Sequence, residues 1–443
     1  MHMSQHSQFL LLTERRFLPF FGTQALVAFN DNVYKNVLVI LVTYRSASYT
    51  TLAPELLANL AGGLFILPFV LFSGMAGQLA DRLDKARVLK MVKAFEVLIM
   101  AIAAIGFIQH SIAVLLAALF LMGLHSTFFG PAKYSLLPEV LKDSELVGGN
   151  ALVEMGTFVA ILLGTLFAGL LASHGKIDVI VAALLAISLV GFAVSLAIPR
   201  LQPAAPHLRI DWRPWTSTWD NIRAARESRS VFRAVLAISW FWFYGALLLA
   251  QLPLYSRNVL GGSEQVVTVL LIVFSLGVGV GSLLCERLSG HKVEIGLVPL
   301  GSIGLTLFAV DLFLASPVPQ TGALLTAVEF AGLTSSWRVM LDLGCIGLFG
   351  GLFIVPLYAL MQQRSRREVM SRVIGANNIL NAVFMVAAAL LGAACLNFGM
   401  TVPQLLLTLG LLNAVVALWI FRREREYLER FVVWIKRSDE VMG

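Results

Sequence analysis

Long apolar runs recur along nearly the whole chain, and within each run the apolar positions occupy every side of a helix rather than one face. A helix that crosses a bilayer needs about 20 such residues. On that criterion the pattern predicts twelve spanning helices, over 17–44, 53–79, 88–109, 111–138, 146–171, 178–198, 231–255, 266–285, 293–315, 339–361, 373–398 and 401–421. Between the ninth and tenth, TGALLTAVEFAGL is apolar but short, so 316–338 is expected to be an outer loop with an interfacial piece. The longest connection, Pro199 to Ser230, is rich in Pro, Arg and Trp and parts the spans into two sets of six. Its stretch 216–228 (TSTWDNIRAARES) is polar enough for a helix at the membrane surface, with arginines toward anionic headgroups. Ahead of the first span, a four-residue apolar run before Glu14, Arg15 and Arg16 is too short for a signal-peptide core. The first helix is therefore expected to stay as an anchor.

The expected fold is an all-α membrane protein of twelve transmembrane helices in two pseudo-symmetric six-helix bundles. Its expected parts are an N-terminal bundle over 1–198, a cytoplasmic linker with an amphipathic helix over 199–230, a C-terminal bundle over 231–421 and a cytoplasmic tail over 422–443.

Composition excludes the soluble alternative. Of 443 residues, 58% are hydrophobic and 13% charged, and the mean hydropathy is +0.82. A soluble protein carries roughly 45–50% apolar and about 25% charged residues. The net charge of +7 would suggest nucleic acid in a soluble chain, but here it marks the membrane side. Twenty-eight of the 33 Lys and Arg fall in or beside one alternate set of connections and the chain ends. The other set holds Arg45, Lys176, Arg257 and Arg338, and Lys35 lies within the first span. Both termini are therefore expected on the cytoplasmic side, and no nucleic-acid partner is expected. Cys285, Cys345 and Cys395 sit apart in apolar stretches, which argues against a disulfide framework or a metal site. No cofactor is expected.

The halves resemble each other. Shifted by 227, Ser144-Glu-Leu-Val-Gly-Gly-Asn150-Ala-Leu152 lies over Ser371-Arg-Val-Ile-Gly-Ala-Asn377-Asn-Ile379. FFGPAKYSLLPE (128–139) resembles LFIVPLYALMQQ (352–363), each with a proline ahead of its tyrosine. Shifted by 205, Asp81-Arg82-Leu83 meets Glu286-Arg287-Leu288, in each half in the tight turn after the second span. Two parallel repeats with a substrate site near the midplane form a transporter architecture.

Polar groups inside the spans are the candidates for function. A charge at the bilayer centre costs on the order of 2.5–3.5 kcal/mol on insertion scales, so it needs a partner or a task. Asp31 lies mid-span between Asn30 and Asn32, with Lys35 and Asn36 one turn on. Asp31 and Lys35 share a face, either as a self-satisfied structural pair or as a cavity-lining pair that meets a charged headgroup. Lys133, after Gly130-Pro131, either snorkels to the interface or contacts a lipid phosphate. Asn150 and Glu154 in the fifth span have counterparts Asn377, Asn378 and Asn381 in the eleventh, suited to interhelical hydrogen bonds or headgroup contact. Gln251 is a further polar candidate, Arg233 reads as an interface anchor, and the aromatics of SWFWFYGA (239–246) face lipid, packing and cavity alike. His125 reads as a hydrogen-bonded packing residue, and Gly277, Gly279 and Gly281 as a close helix approach. Glu96 with Lys90 and Lys93 reads as the solvated end of the third span.

Residues 77–89, GQLADRLDKARVL, resemble the G-x-L-A-D-R-x-G-R-K loop of the major facilitator superfamily. Gly77, Leu79, Ala80, Asp81, Arg82 and Lys85 match; Asp84 replaces the second glycine, and Ala86 a basic residue. The resemblance implies a cytoplasmic charge latch formed by Gly77, Asp81, Arg82 and Lys85, with Glu286 and Arg287 as repeat counterparts. AFNDNVYKN (28–36), FFGPAKYSLLPE and GANNILNAVFMV (375–386) are similar to bacterial inner-membrane lysophospholipid transporters, and to the transporter half of fused acyltransferase/acyl-carrier-protein synthetase proteins. That resemblance implies inward movement of lysophosphatidylethanolamine-type lipids for reacylation. It also implies a possible cytoplasmic acyltransferase/acyl-ACP synthetase partner and a monomer. Asn30, Asp31, Asn32, Lys35, Lys133, Asn150, Glu154, Gln251, Asn377 and Asn381 are then the expected substrate residues. The H-x-x-x-x-D acyltransferase pattern is absent, His174 and His207 each having an aspartate four positions on, and no Walker loop occurs. No enzymatic activity is expected. An exporter of drugs or other amphipathic molecules, and a non-transporting subunit that docks an acyltransferase, are the alternatives.

Overall fold

The computed structural model describes residues 7–45, 54–317 and 323–442. Its helices are α1 Leu18–Arg45, α2 Pro54–Arg82, α3 Lys85–Ile108, α4 Ile112–Val140, α5 Leu146–His174, α6 Ile177–Leu196, α7 Pro214–Arg226 and α8 Arg229–Asn258. They continue with α9 Glu264–Ser289, α10 Leu297–Ala315, α11 Ala327–Gly332, α12 Thr334–Arg364, α13 Met370–Asn397, α14 Val402–Arg423 and α15 Glu426–Met442. Hydrocarbon offers no partner for backbone N–H and C=O groups, so an apolar run has to satisfy them within itself as helix. Among the described residues, eleven helices are long and apolar enough to cross a membrane. The twelfth long helix, α1, falls outside that set; Asn30, Asp31, Asn32, Lys35 and Asn36 interrupt its middle.

Side-chain caps set several ends that hydropathy leaves open. Asp84 accepts from the Ala86 amide at 2.9 Å and starts α3 at Lys85, three residues before the expected bound. The departure from the family's glycine thus has a structural task. The segment expected as an outer loop holds α11, closed by a Thr326–Glu329 capping box, and α12 begins at Thr334, which brings Arg338 inside a helix. Hydrogen bonds from Ser263 N–H to the Leu325 carbonyl and from Leu325 N–H to the Gly261 carbonyl tie this stretch to the start of α9.

The chain forms two compact units. Unit 1 comprises 1–142, 160–228 and 364–382, and unit 2 comprises 143–159, 229–363 and 383–443, so α5 and α13 each divide between the two.

In unit 1, α4 packs against α2 and α3, and α6 against α1 and α3. Its core gathers Tyr34, Leu38, Ile99, Met100, Phe107, Leu115 and Met122, and the Tyr34 hydroxyl donates to the Leu115 carbonyl at 2.7 Å. Gly123 lets α4 approach α2 closely, since a Cβ there would run into the Phe65 carbonyl.

In unit 2, Asn413 of α14 donates to the Ser302 carbonyl (2.9 Å) and Thr306 hydroxyl (2.9 Å) of α10 and accepts from Trp240 of α8 at 2.8 Å. The amphipathic α15 docks on the same unit. Arg430 pairs with Glu294 at 2.6 Å, and the Trp434 indole donates to the Leu288 carbonyl at 2.7 Å.

Candidate functional site

The polar set of α1 points in several directions, because successive residues on a helix turn by about 100°. Asn30 donates to Glu96 Oε1 of α3 at 2.7 Å. Asp31 accepts from the Ser126 hydroxyl of α4 at 2.6 Å. Asn36 donates to the Thr165 hydroxyl of α5 at 3.1 Å, and Asn32 to the Ala28 carbonyl of its own helix at 2.7 Å. The Lys35 ammonium lies 5.7 Å from the centre of the Phe65 ring of α2. Among the described residues no ion pair joins Asp31 to Lys35. Asp31 Oδ1 is buried and has no hydrogen-bond partner there.

Behind Asp31 is a cluster that sequence reading misplaced. Glu96 and Lys93 are fully buried, not the solvated end of α3. The Glu96 carboxylate takes Asn30 on one oxygen and Lys93 on the other, with the buried His125 ring of α4 3.0 Å away. His125 also stacks on Phe129. Gly191 of α6 leaves room for the Lys93 ammonium, which a Cβ there would displace. Lys90 turns the other way, donating to the Ile198 carbonyl at 2.9 Å. The taper of Lys85, Arg87, Lys90 and Lys93 along the start of α3 disguises a buried pair as a wet helix end. The hint in the sequence is His125 in the fourth span, whose reading as a hydrogen-bonded packing residue left its partner unnamed.

The remaining candidates sit in two settings. In unit 1, Lys133 is largely buried, with its ammonium 4.9 Å from the Tyr134 ring centre. Asn377 is fully buried, and neither amide atom has a hydrogen-bond partner among the described residues. Asn378 lies against Gly130, where a Cβ would meet its amide nitrogen, and Asn381 is half-buried. In unit 2, Asn150 and Gln362 exchange hydrogen bonds of 2.6 and 3.1 Å, so that asparagine is committed to a helix contact. Glu154 is buried, and Gln251 is largely buried beside Gly392.

At the basic end of α2 the residues of the signature loop converge. Asp81 lies at the start of α13, accepting from the Ser371 amide (2.9 Å), the Arg372 amide (3.3 Å) and the Arg372 guanidinium (3.1 Å). A carboxylate at a helix start satisfies free N–H groups and complements the helix dipole. Gly77 lies beneath the same contact, since a Cβ there would strike the Ser371 carbonyl and the Asn221 amide. Lys85 is fully buried and pairs with Glu139 of α4 at 2.6 Å, and Arg367 approaches that carboxylate at 3.4 Å. Ser135 and Ser371 join their hydroxyls at 2.9 Å. Glu139, Ser371, Arg372 and Asn221 were not singled out from the sequence. Arg82 is exposed, as is Arg287 of unit 2, and Glu286 is buried with the His291 ring 3.3 Å away.

The linker is stitched along the same helix end. Leu201 N–H bonds Asp84 (3.1 Å), Ala205 N–H the Asp81 carbonyl (2.8 Å) and Asp211 N–H the Gln78 side chain (2.7 Å). Beyond it α7 lays Ser217, Asn221, Ala224 and Ala225 inward. Its Ser217–Thr218 backbone lies on Gly74, and its Asn221 donates to the Ser73 carbonyl at 3.4 Å.

Comparison with known proteins identifies the family. Lysophospholipid transporter LplT of Klebsiella pneumoniae is 29% identical over 418 residues, covering 91% of this chain and 94% of that protein. The protein of the same name from Photorhabdus laumondii is 27% identical over 413 residues, covering 90% and 94%. Among solved structures, the human organic anion transporter MFSD10 superposes with a TM-score of 0.73 at 14% identity, covering 92% of this chain and 99% of that one. The transporter FucP in the outward conformation gives 0.68 at 12% identity, covering 93% and 100%. The family model of the Major Facilitator Superfamily matches residues 20–383, and this multi-pass membrane protein belongs to that superfamily.

Proposed function

We propose that the chain is a lysophospholipid transporter of a bacterial inner membrane, carrying lysophosphatidylethanolamine-type lipids toward the cytoplasmic leaflet by alternating access. The observation that carries the reading is Asp31. It is a carboxylate mid-span in α1, held by Ser126 through one oxygen while the other has no partner among the described residues. A lone acceptor of this kind suits an ammonium headgroup. Lys35, one turn along with the Phe65 ring beside its ammonium, suits the phosphate of the same zwitterion. Relatives named as lysophospholipid transporters over 90% or more of the chain support the substrate class. Asn30 and Asn150, bonded to Glu96 and Gln362, act as supports in this reading. Lys133, Glu154, Gln251, Asn377 and Asn381 complete the proposed substrate set, with Asn32 on α1.

The latch residues Gly77, Asp81 and Lys85 hold the basic end of α2 against α13 and α4 between transport steps, with Glu286 and Arg287 as their repeat counterparts. Both termini lie on that cytoplasmic side, where an acyltransferase removes the product, and the transporter works as a monomer. Asp31→Asn keeps the Ser126 contact and removes the charge. Spheroplasts that express it at wild-type level should lose most uptake of labelled lysophosphatidylethanolamine. Undiminished uptake would exclude Asp31 as the headgroup contact.

A further inference from the structure

Three of the eight tryptophans cluster at the linker helix. Trp212, Trp215 and Trp219 are 64, 69 and 62% exposed, which for a large apolar ring outside a spanning segment calls for a partner. Trp215 and Trp219 stand one turn apart on the face of α7 opposite Ser217, Asn221 and Ala224. The depth of α7 identifies the partner. The helix lies beside Ser73 and Gly74 of α2, eight residues before Arg82, hence about 12 Å inside that helix end. A helix at this level lies where acyl chains give way to headgroups, and tryptophan favours that layer.

The charges agree with an anionic surface. Hydrogen bonds from Arg213, then from Thr216, hold the Asp211 carboxyl well below the usual carboxylate range, so it stays ionised and cancels Arg213. Glu227 is taken by Arg366 at 2.5 Å. Arg209, Arg223 and Arg226 are exposed, and the exposed acids against them are Asp220 and the Arg366-paired Glu227.

We propose that α7 is a lipid-docked wedge: Trp212, Trp215, Trp219 and Arg223 seat on anionic phospholipid headgroups, while Asn221 on the opposite face holds the crossing of α2 and α13. At that crossing, Cβ atoms on Gly77 and Gly375 would each run into the Asn221 amide, so the linker helix is packed into the latch rather than laid over it. The surface lipid of one leaflet thereby bears directly on the contact that Asp81 makes.

The test reads the three tryptophans as a difference. Full-length protein and a Trp212→Phe/Trp215→Phe/Trp219→Phe variant are reconstituted in phosphatidylethanolamine vesicles with and without phosphatidylglycerol. The lipids are brominated near the headgroup end of the acyl chains. The wild-type-minus-variant emission should lose most of its intensity to the brominated lipid and little to aqueous iodide. Iodide quenching should rise when phosphatidylglycerol is left out, and Arg223→Glu should abolish that response. Emission quenched by iodide but not by bromolipid places the rings in water and overturns the proposal. Protection from both quenchers points to a protein cover and also overturns it. A phosphatidylglycerol response that persists in Arg223→Glu overturns the assigned headgroup contact.

Discussion

Glu96 has no water to share its charge with, so its neighbours have to supply what water would. Asn30, Lys93 and His125 do so from three helices, and each becomes a liability when the carboxylate is removed. Breaking a buried pair by deleting one partner costs about 3–5 kcal/mol, because the other charge stays behind unpaired; replacing both partners by apolar or neutral groups is often nearly neutral. Glu96→Gln alone and Lys93→Met alone should therefore each lower the melting temperature in detergent markedly, and the Lys93→Met/Glu96→Gln double variant should recover most of the loss. Additive losses in the double variant would show that the two charges act independently. Asp31 was legible in the sequence because an acid between two asparagines interrupts an otherwise apolar run. Glu96 was not, since basic residues, its own partner Lys93 among them, lead into it from the turn, and its other partners Asn30 and His125 are 66 and 29 positions away. The destination of Asp31 was equally hidden: sequence spacing offers Lys35, whereas the fold supplies Ser126.

The seam between α9 and α12 shows the same logic for whole elements. Lipid tails are as apolar as leucine, so spanning helices gain by close backbone approach rather than by hiding apolar surface. Gly277 and Gly281 face the Gly344 and Leu348 carbonyls, while Gly347 and Gly351 face the Phe274 and Val278 carbonyls in return. Gly279, between the first pair, looks instead toward Met155, where an added Cβ would make an ordinary 3.4 Å contact. Gly281→Val should reduce the yield of monodisperse protein and lower its melting temperature, whereas Gly279→Ala should leave both near wild type. Equal effects at the two positions would remove the seam as the explanation. Spanning helices were readable because the bilayer admits few alternatives to an unbroken helix. The short α11 and the tail helix α15 were not, because they owe their existence to a capping box and to docking through Arg430 and Trp434, which leave little hydropathy signal.

At the scale of the molecule, the proposed alternating access requires that the two sequence halves part on one side of the membrane and then on the other. On the basic side the parting must pass through unit 1, where Asp81 of the first half caps α13 of the second and Ser135 of α4 touches Ser371. None of these bonds is strong alone: each exchanges for water at a net cost on the order of 1 kcal/mol, with more for the charged ones. A contact of such bonds is weak enough to break and reform, as the proposed latch requires. A covalent bond in the same place does not. Ser135→Cys/Ser371→Cys puts two thiols where hydroxyls stand 2.9 Å apart, and the native Cys285, Cys345 and Cys395 form no disulfide. Oxidation of this variant in vesicles should stop lysophospholipid uptake, and reduction should restore it, while the same treatment leaves the wild type active. Full uptake by protein shown to be cross-linked would mean that the α4–α13 contact stays closed throughout the cycle. The gate would then have to be sought elsewhere in the chain.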